Sequence, residues 1–216
     1  MLVSGVSRPR SSIDPEAVAA AFAPDGLHGV SAADVARRAG VAKPTLYAHG
    51  RSKDAVFLAC VEAEVERLLN RLYVAEARTR EQGAGARASA LALALLDHAR
   101  AHPEAFRLLH VTARHQTSTV AAAVDGALDR IPARIADTLR RDLIRHDDPT
   151  DLAATAATAL YGAVVALAAL PPRRKADRTG LAAALGAAVG HTLRPLEAGV
   201  AAASAAAPAG GDVGIY

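Results

Sequence analysis

The chain has 216 residues, half of them apolar (51%), with only 3% aromatic residues, no tryptophan and a formal net charge of +3. This is length enough for one large domain, or for a small one fused to a larger one, and the Ala- and Leu-rich composition favours closely packed helices over a sheet rich in β-branched and aromatic residues. The single cysteine, Cys60, excludes an internal disulfide and a cysteine-rich zinc site, which suits a reducing cytoplasm.

The first twelve residues, MLVSGVSRPRSS, place arginines where the apolar core of a signal peptide would have to lie, so no export signal is expected. A first helix is predicted from Asp14-Pro15, an N-cap followed by proline at the first helical position, through Phe22, with Pro24, Asp25 and Gly26 stopping it. Ser31 then caps a second helix to about Ala39, Gly40 breaks it, and a third runs from about Lys43 to His49 before Gly50. Ser52 caps a long fourth helix whose apolar face is read as Ala55, Val56, Ala59, Cys60, Ala63, Leu68, Leu69 and Leu72.

From about Gly83 the pattern restarts as a larger helical unit. Ala88 to Arg100 reads as an apolar helix, Pro103 opens another containing Phe106, Leu108, Leu109 and Val111, and an amphipathic helix covers roughly Val120 to Ile144. The uncharged run from Leu152 to Pro172 has the length of a membrane span. Its alanines make insertion only marginally favourable, and a buried or interfacial helix is expected instead. A last helix is expected over Leu181 to Leu193, ended by Pro195, followed by an Ala- and Gly-rich flexible tail over 197–216. The fold class is thus all-α: a helix-turn-helix domain over 13–56, with the fourth helix from about 52 linking onward, then a larger helical domain over 57–196.

Within this layout, residues 31–53 read as two helices crossing at a tight turn. Ala36 lets the helices approach, Gly40 supplies a turn residue tolerant of positive φ, and Val35, Val41 and Leu46 form the inner contacts. Once those packing residues are set aside, Lys43, Thr45, Tyr47 and His49 remain on the outer face of the second helix of the pair. All four can donate hydrogen bonds to phosphates or base edges, and Arg51 and Lys53 follow at the next helix start. The same residues would also suit an ordinary solvated helix face.

The segment S-x-x-D-V-A-x-x-A-G-V-x-K-P-T-L-Y-x-H-x-x-S-K, within about Asp14 to Val56, resembles the DNA-binding signature of the TetR family, the tetracycline-repressor-like regulators. The resemblance implies that Lys43 and Thr45, beside Pro44, face bases or adjacent phosphates, that Tyr47, His49 and Lys53 grip the DNA backbone, and that Ser31 caps its helix near a phosphate. It further implies a cytoplasmic homodimer on a palindromic DNA operator, acting as a repressor and released by a small-molecule inducer bound in the larger domain. Three positions depart from the pattern: Ala42 stands where a capping Ser is usual, Gly50 where Phe is usual, and Ala33 leaves no long side chain to read a base. The first two motivate an alternative, a dimeric small-molecule binder with a degenerate helix-turn-helix that does not engage specific DNA.

For an inducer pocket the candidates are Phe106, His110, Arg114, His115 and Tyr161, polar or aromatic groups set among apolar helices. His98 and His102 share a helix face, but Pro103 follows at once and no carboxylate lies between them, so no metal site is read there. No catalytic arrangement and no cofactor motif is found; Cys60 is read as a small core residue.

Overall fold

The computed structural model describes residues 15–49, 52–112, 120–141, 151–169 and 177–206. Every element among them is helical, in the order α1 (Pro15–Phe22), α2 (Gly26–Gly29), α3 (Ala32–Arg38), α4 (Lys43–His49), α5 (Lys53–Arg78), α6 (Ala84–Ala101), α7 (Pro103–Arg107), a π-helical turn (Leu108–Thr112), α8 (Ala121–Arg140), α9 (Leu152–Ala169) and α10 (Arg178–Ala206). The described residues divide into two compact units, one drawn from 15–68 and 98–129 and the other from 69–97 and 130–206.

The first unit is built on α1, which packs against α3, α7 and the π-helical turn. Its core takes Val18, Ala19, Ala21 and Phe22 from α1, Val35 and Ala36 from α3, Leu46 from α4 and Phe57 from α5. Phe22 and Phe57 meet edge to face, with centroids 5.1 Å apart and planes at 82°. This pair supplies an aromatic centre although Gly50 provides none. Where Pro24, Asp25 and Gly26 are expected only to stop the first helix, the chain takes one further turn, α2, with Gly26 at φ +70° and Leu27 buried beneath it.

The face that α5 buries differs from the one expected. Ala59 and Ala63 are exposed, and Phe57, Val61, Glu64 and Val65 are buried together with Val56, Cys60, Leu68 and Leu72. Two stripes compete on this helix and share Val56, Cys60, Leu68 and Leu72. The winning one removes more apolar surface from water, because Phe57, Val61 and Val65 outweigh two alanines. It also carries Glu64 to full burial, and this carboxylate is met by Arg67 Nη1 at 3.1 Å.

In the second unit α9 packs against α10. Asp151 caps α9, accepting the Ala154 N–H at 3.1 Å, and receives both Nη2 (2.7 Å) and Nε (3.2 Å) of Arg140 from the end of α8. Arg178 at the start of α10 pairs with Asp97 of α6. These two helices also touch backbone to backbone: a Cβ built on Gly186 would lie 2.5 Å from the Gly85 carbonyl oxygen and 2.7 Å from the Ser89 nitrogen. Only glycine permits that approach.

Contrary to expectation, Pro195 does not end the last helix, which continues to Ala206. A proline inside a helix forfeits one hydrogen bond and crowds the preceding turn, at about 3 kcal/mol. Alanine, the strongest helix former, dominates both flanks and allows the helix to resume, while Pro132 is likewise carried inside α8. The expected flexible tail lies partly in this helix, and its residues 207–216 are outside those described.

Among the described residues, α9 is the helix long and apolar enough to cross a membrane, and only 33% of it is buried. Ala153, Ala156, Ala157, Leu160, Tyr161 and Val164 form its inward stripe. The outward stripe is made of small side chains, Thr155, Ala159, Gly162, Ala166 and Ala169.

Candidate nucleic-acid interface

The turn between α3 and α4 is closed by the chain's own backbone. Gly40 adopts φ +66°, a left-handed conformation that side chains disfavour. The Val41 N–H donates to the Ala36 carbonyl (2.9 Å) and the Gly40 N–H to the Arg37 carbonyl (3.2 Å), the paired bonds of a Schellman ending. These bonds fix where α4 begins, and Leu46, fully buried, fixes which face of α4 turns inward.

Ser31 starts α3. Its Oγ accepts the Asp34 N–H at 3.1 Å and donates to Asp34 Oδ2 at 2.6 Å, while Arg37 Nη2 donates to Asp34 Oδ1 at 2.7 Å. The Ser31 hydroxyl, followed by the Arg37 guanidinium, holds the Asp34 carboxyl down at about 2. Arg38 turns back to the first helix, donating to the Ala21 carbonyl at 3.1 Å. Both arginines of α3 are therefore engaged within the domain.

On α4, Lys43 and Pro44 are exposed and Tyr47 is half-buried. Thr45 and His49 lie on the same helix, and their side chains are outside what is described, as is Arg51. Ala42 contributes its carbonyl to the first bond of α4, accepting the Leu46 N–H at 3.1 Å; a methyl side chain cannot accept the amides that a serine would. Ser52 caps α5 by accepting the Ala55 N–H at 3.1 Å. Lys53, at the first position of α5, has its amine on the Val30 carbonyl at 3.0 Å, a contact the sequence did not suggest. One ammonium hydrogen is thus committed to the backbone between α2 and α3, and two remain for other acceptors.

Of the inducer candidates, Phe106 and His110 belong to the first unit and Tyr161 to the second. Phe106 of α7 and His110 of the π-helical turn are both buried, with ring centroids 4.2 Å apart. Arg114 and His115 lie outside the described residues, and Tyr161 is buried on α9 in the second unit. His98 and His102 stand with centroids 5.2 Å apart, and His102 Nδ1 lies 3.2 Å from Glu16 Oε1. Cys60 is buried, and desolvation, then the Glu64 charge, push its thiol up to about 12, so the sulfur is a packed core group at neutral pH.

One site went unread in the sequence. A cavity of about 390 Å³ in the second unit is lined by Glu76, Arg80, Arg87 and Arg141. Glu76 forms an ion pair with Arg141, Oε1 to Nη1 at 2.7 Å, and its Oε2 accepts a hydrogen bond from Arg134. Glu76 and Arg87 are 4% and 3% exposed, whereas Arg80 and Arg141 are open to solvent. Glu76 and Arg80, four apart at the end of a helix, were the available signal.

Residues 16–60 match the family model of bacterial regulatory proteins, tetR family. No curated protein sequence matches the chain. Among solved structures, the transcriptional regulator FadR from Bacillus subtilis in complex with stearoyl-CoA is similar at 14% identity, over 82% of this chain and 96% of that one, with a TM-score of 0.68. A TetR-family transcriptional regulator from Bordetella parapertussis is similar at 18% identity, over 81% and 91%, with a TM-score of 0.63. AibR, in complex with isovaleryl coenzyme A and operator DNA, is similar at 16% identity, over 81% and 94%, with a TM-score of 0.60. At these identities the likeness establishes the fold.

Proposed function

We propose that this chain, which belongs to the TetR family of bacterial regulatory proteins, is a ligand-responsive repressor that binds a palindromic operator as a homodimer in the cytoplasm and is released by a small molecule. The observation that carries the reading is the α3–α4 pair within the matched segment. Its turn is locked by Gly40 and its inner face by Leu46, which leaves Lys43 and Pro44 exposed on a helix of the size that enters a major groove.

Roles divide by position. Lys43, near the start of α4, reads a base edge or an adjacent phosphate together with Thr45; Tyr47, His49 and Lys53 hold the DNA backbone, and Ser31 presents a helix start to a phosphate. The outward stripe of α9 and the exposed Ala183, Ala184, Ala187 and Ala188 of α10 support dimerisation, since an apolar face of small side chains is stable once a second copy covers it. In the dimer the two α4 helices reach successive major grooves about 34 Å apart. That two similar structures hold acyl-coenzyme A molecules supports a small-molecule effector for this chain as well.

Selection from random DNA tests the reading, with an enriched palindrome expected. Lys43→Ala then costs about 1 to 3 kcal/mol per half-site and relaxes preference at one base pair, whereas Lys53→Ala weakens all sequences alike and lowers the salt slope by about 0.9 per phosphate contact. Recovery of no palindrome would favour the degenerate helix-turn-helix that Ala42 and Gly50 suggest.

A further inference from the structure

We propose that Asp34 restrains DNA binding: its carboxylate holds the Ser31 hydroxyl and the Arg37 guanidinium that α3 would otherwise offer to a DNA phosphate. The inference rests on the reading of α3 and α4 as a DNA-binding pair, and adds to it a residue that acts against the contacts assigned there.

α3 buries Val35 and Ala36. Asp34 and Arg37, three residues apart, therefore share its outward face, with Ser31 at the helix start. Arg38 turns away to the Ala21 carbonyl of α1, which leaves Arg37 as the cation of that face. In a helix-turn-helix the first helix of the pair crosses the DNA backbone while the second enters the groove, so phosphates arrive on this side of α3.

What they meet there is already paired. Ser31 Oγ donates to Asp34 Oδ2 at 2.6 Å and Arg37 Nη2 to Asp34 Oδ1 at 2.7 Å. A hydroxyl and a guanidinium are donors of the kind that bind phosphate oxygens, and each is turned instead to one oxygen of the carboxylate. Asp34 thus stands in the place of a phosphate. The Asp34–Arg37 pair carries no net charge, and so adds nothing to the attraction that draws the domain to a polyanion. Its carboxyl, held down at about 2 chiefly by the Ser31 hydroxyl, stays ionised wherever DNA binding is measured. The side chains of Arg37 and Asp34 are 73% and 41% exposed, which keeps both within reach of a bound duplex.

A phosphate that approaches Ser31 and Arg37 therefore competes with a group of its own sign that is tethered to the helix and cannot leave. The penalty falls on every DNA sequence alike, because phosphates carry no sequence information. Base contacts from α4 must then supply a larger share of the affinity, and binding to unrelated DNA stays weak.

Fluorescence anisotropy of the full chain with a random-sequence duplex and with the operator recovered by selection, at salt from about 50 to 200 mM, tests the inference. Asp34→Asn keeps the start of α3, because Ser31 Oγ caps the backbone N–H of residue 34, and removes only the charge. It raises affinity for both duplexes and steepens the salt slope by about 0.9 per released Arg37, or about 1.8 for the two copies in a homodimer; the gain is about tenfold larger at the low-salt end than at the high. Asp34→Asn/Arg37→Gln, with no cation to release, returns the slope to the parent value. Arg37→Gln alone uncovers the carboxylate and weakens both duplexes. Asp34→Ala repeats the measurement should the Asn variant prove unstable, and thermal unfolding verifies that each variant folds. A merely structural Asp34 gives affinity unchanged or lower in its variants at the parent slope, and that result overturns the inference alone when the parent binds DNA. A parent that binds neither duplex at any of these salt concentrations overturns the DNA-binding reading and this inference with it.

Discussion

Replacing Gly186 by alanine sets two calculable effects against each other. Alanine is the better helix former by about 1 kcal/mol, so in an open helix the change would stabilise. Here the added methyl would stand 2.5 Å from the Gly85 carbonyl oxygen and 2.7 Å from the Ser89 nitrogen, and would strike Ser89 Oγ. The hydroxyl can rotate away, but the two backbone atoms cannot. Restoring ordinary contact requires α6 and α10 to part by about 1 Å, which weakens every dispersion contact along their crossing. Overpacking of this kind costs about 1 to 3 kcal/mol, and more when only backbone can yield. A net loss of about 1 to 2 kcal/mol follows, or about 3 to 6 °C in Tm for a chain of this length.

The control is Gly126→Ala on α8, where nothing lies within 4 Å of the added methyl. It gains about 0.5 to 1 kcal/mol and raises Tm by about 2 °C. Gly190→Ala, whose methyl would stand 2.9 Å from the Gly85 Cα, falls between the two. Thermal unfolding followed by circular dichroism, at one protein concentration so that association contributes equally, reads all three. A Gly186→Ala protein melting at or above the parent temperature would refute the close crossing of α6 and α10.

Two further outcomes concern the first unit. Asp34 is held at about 2, below its ordinary 3.8, and a depressed carboxyl contributes stability that is present above the ordinary value and lost as pH falls towards 2. Ser31→Ala removes the largest cause of that depression, so between pH 4 and 2 the melting temperature should fall less steeply in the variant; parallel curves would show that the Ser31 hydroxyl does not hold the carboxylate. Cys60, with its thiol pushed up to about 12, should resist iodoacetamide at pH 8 in the native protein and react once denaturant is added. Native and denatured rates that agree would place the sulfur at the surface.

The helix-turn-helix was legible because its determinants are local. Ser31, Gly40 and Ser52 each act on backbone groups within five residues of themselves, so their spacing alone places α3, the turn and the start of α5. The face of α5 was less legible. Its two candidate stripes differ by a rotation of about one residue, and the choice between Ala59 and Ala63 on one side and Phe57, Val61 and Val65 on the other is made by partners distant in the chain. Pro195 misled for the opposite reason: a strong local stop signal was overridden by helix formers on both flanks.

The two candidate sites differ in the same way. A DNA-facing surface can be found by subtraction, because side chains on a short helix that are not needed for packing are free to meet a partner, and Lys43 and Pro44 remain exposed after Leu46 is buried. The subtraction is incomplete, since Lys53 also spends one donor on the Val30 carbonyl, and a cation counted as available from sequence can be partly engaged by the fold. For the arginine-lined cavity subtraction fails altogether. Arg80 and Arg87 stand in the run TREQGAGAR, whose composition reads as a solvated connection, and Arg141 comes from more than fifty residues away. Only when the helix ends are brought together does Arg87 become buried and Glu76 become a carboxylate shared by two guanidiniums. Burial turns Glu76 and Arg87 from surface charges into the lining of a cavity, and burial is a property of the pairing of α5, α6 and α8 rather than of any one of them.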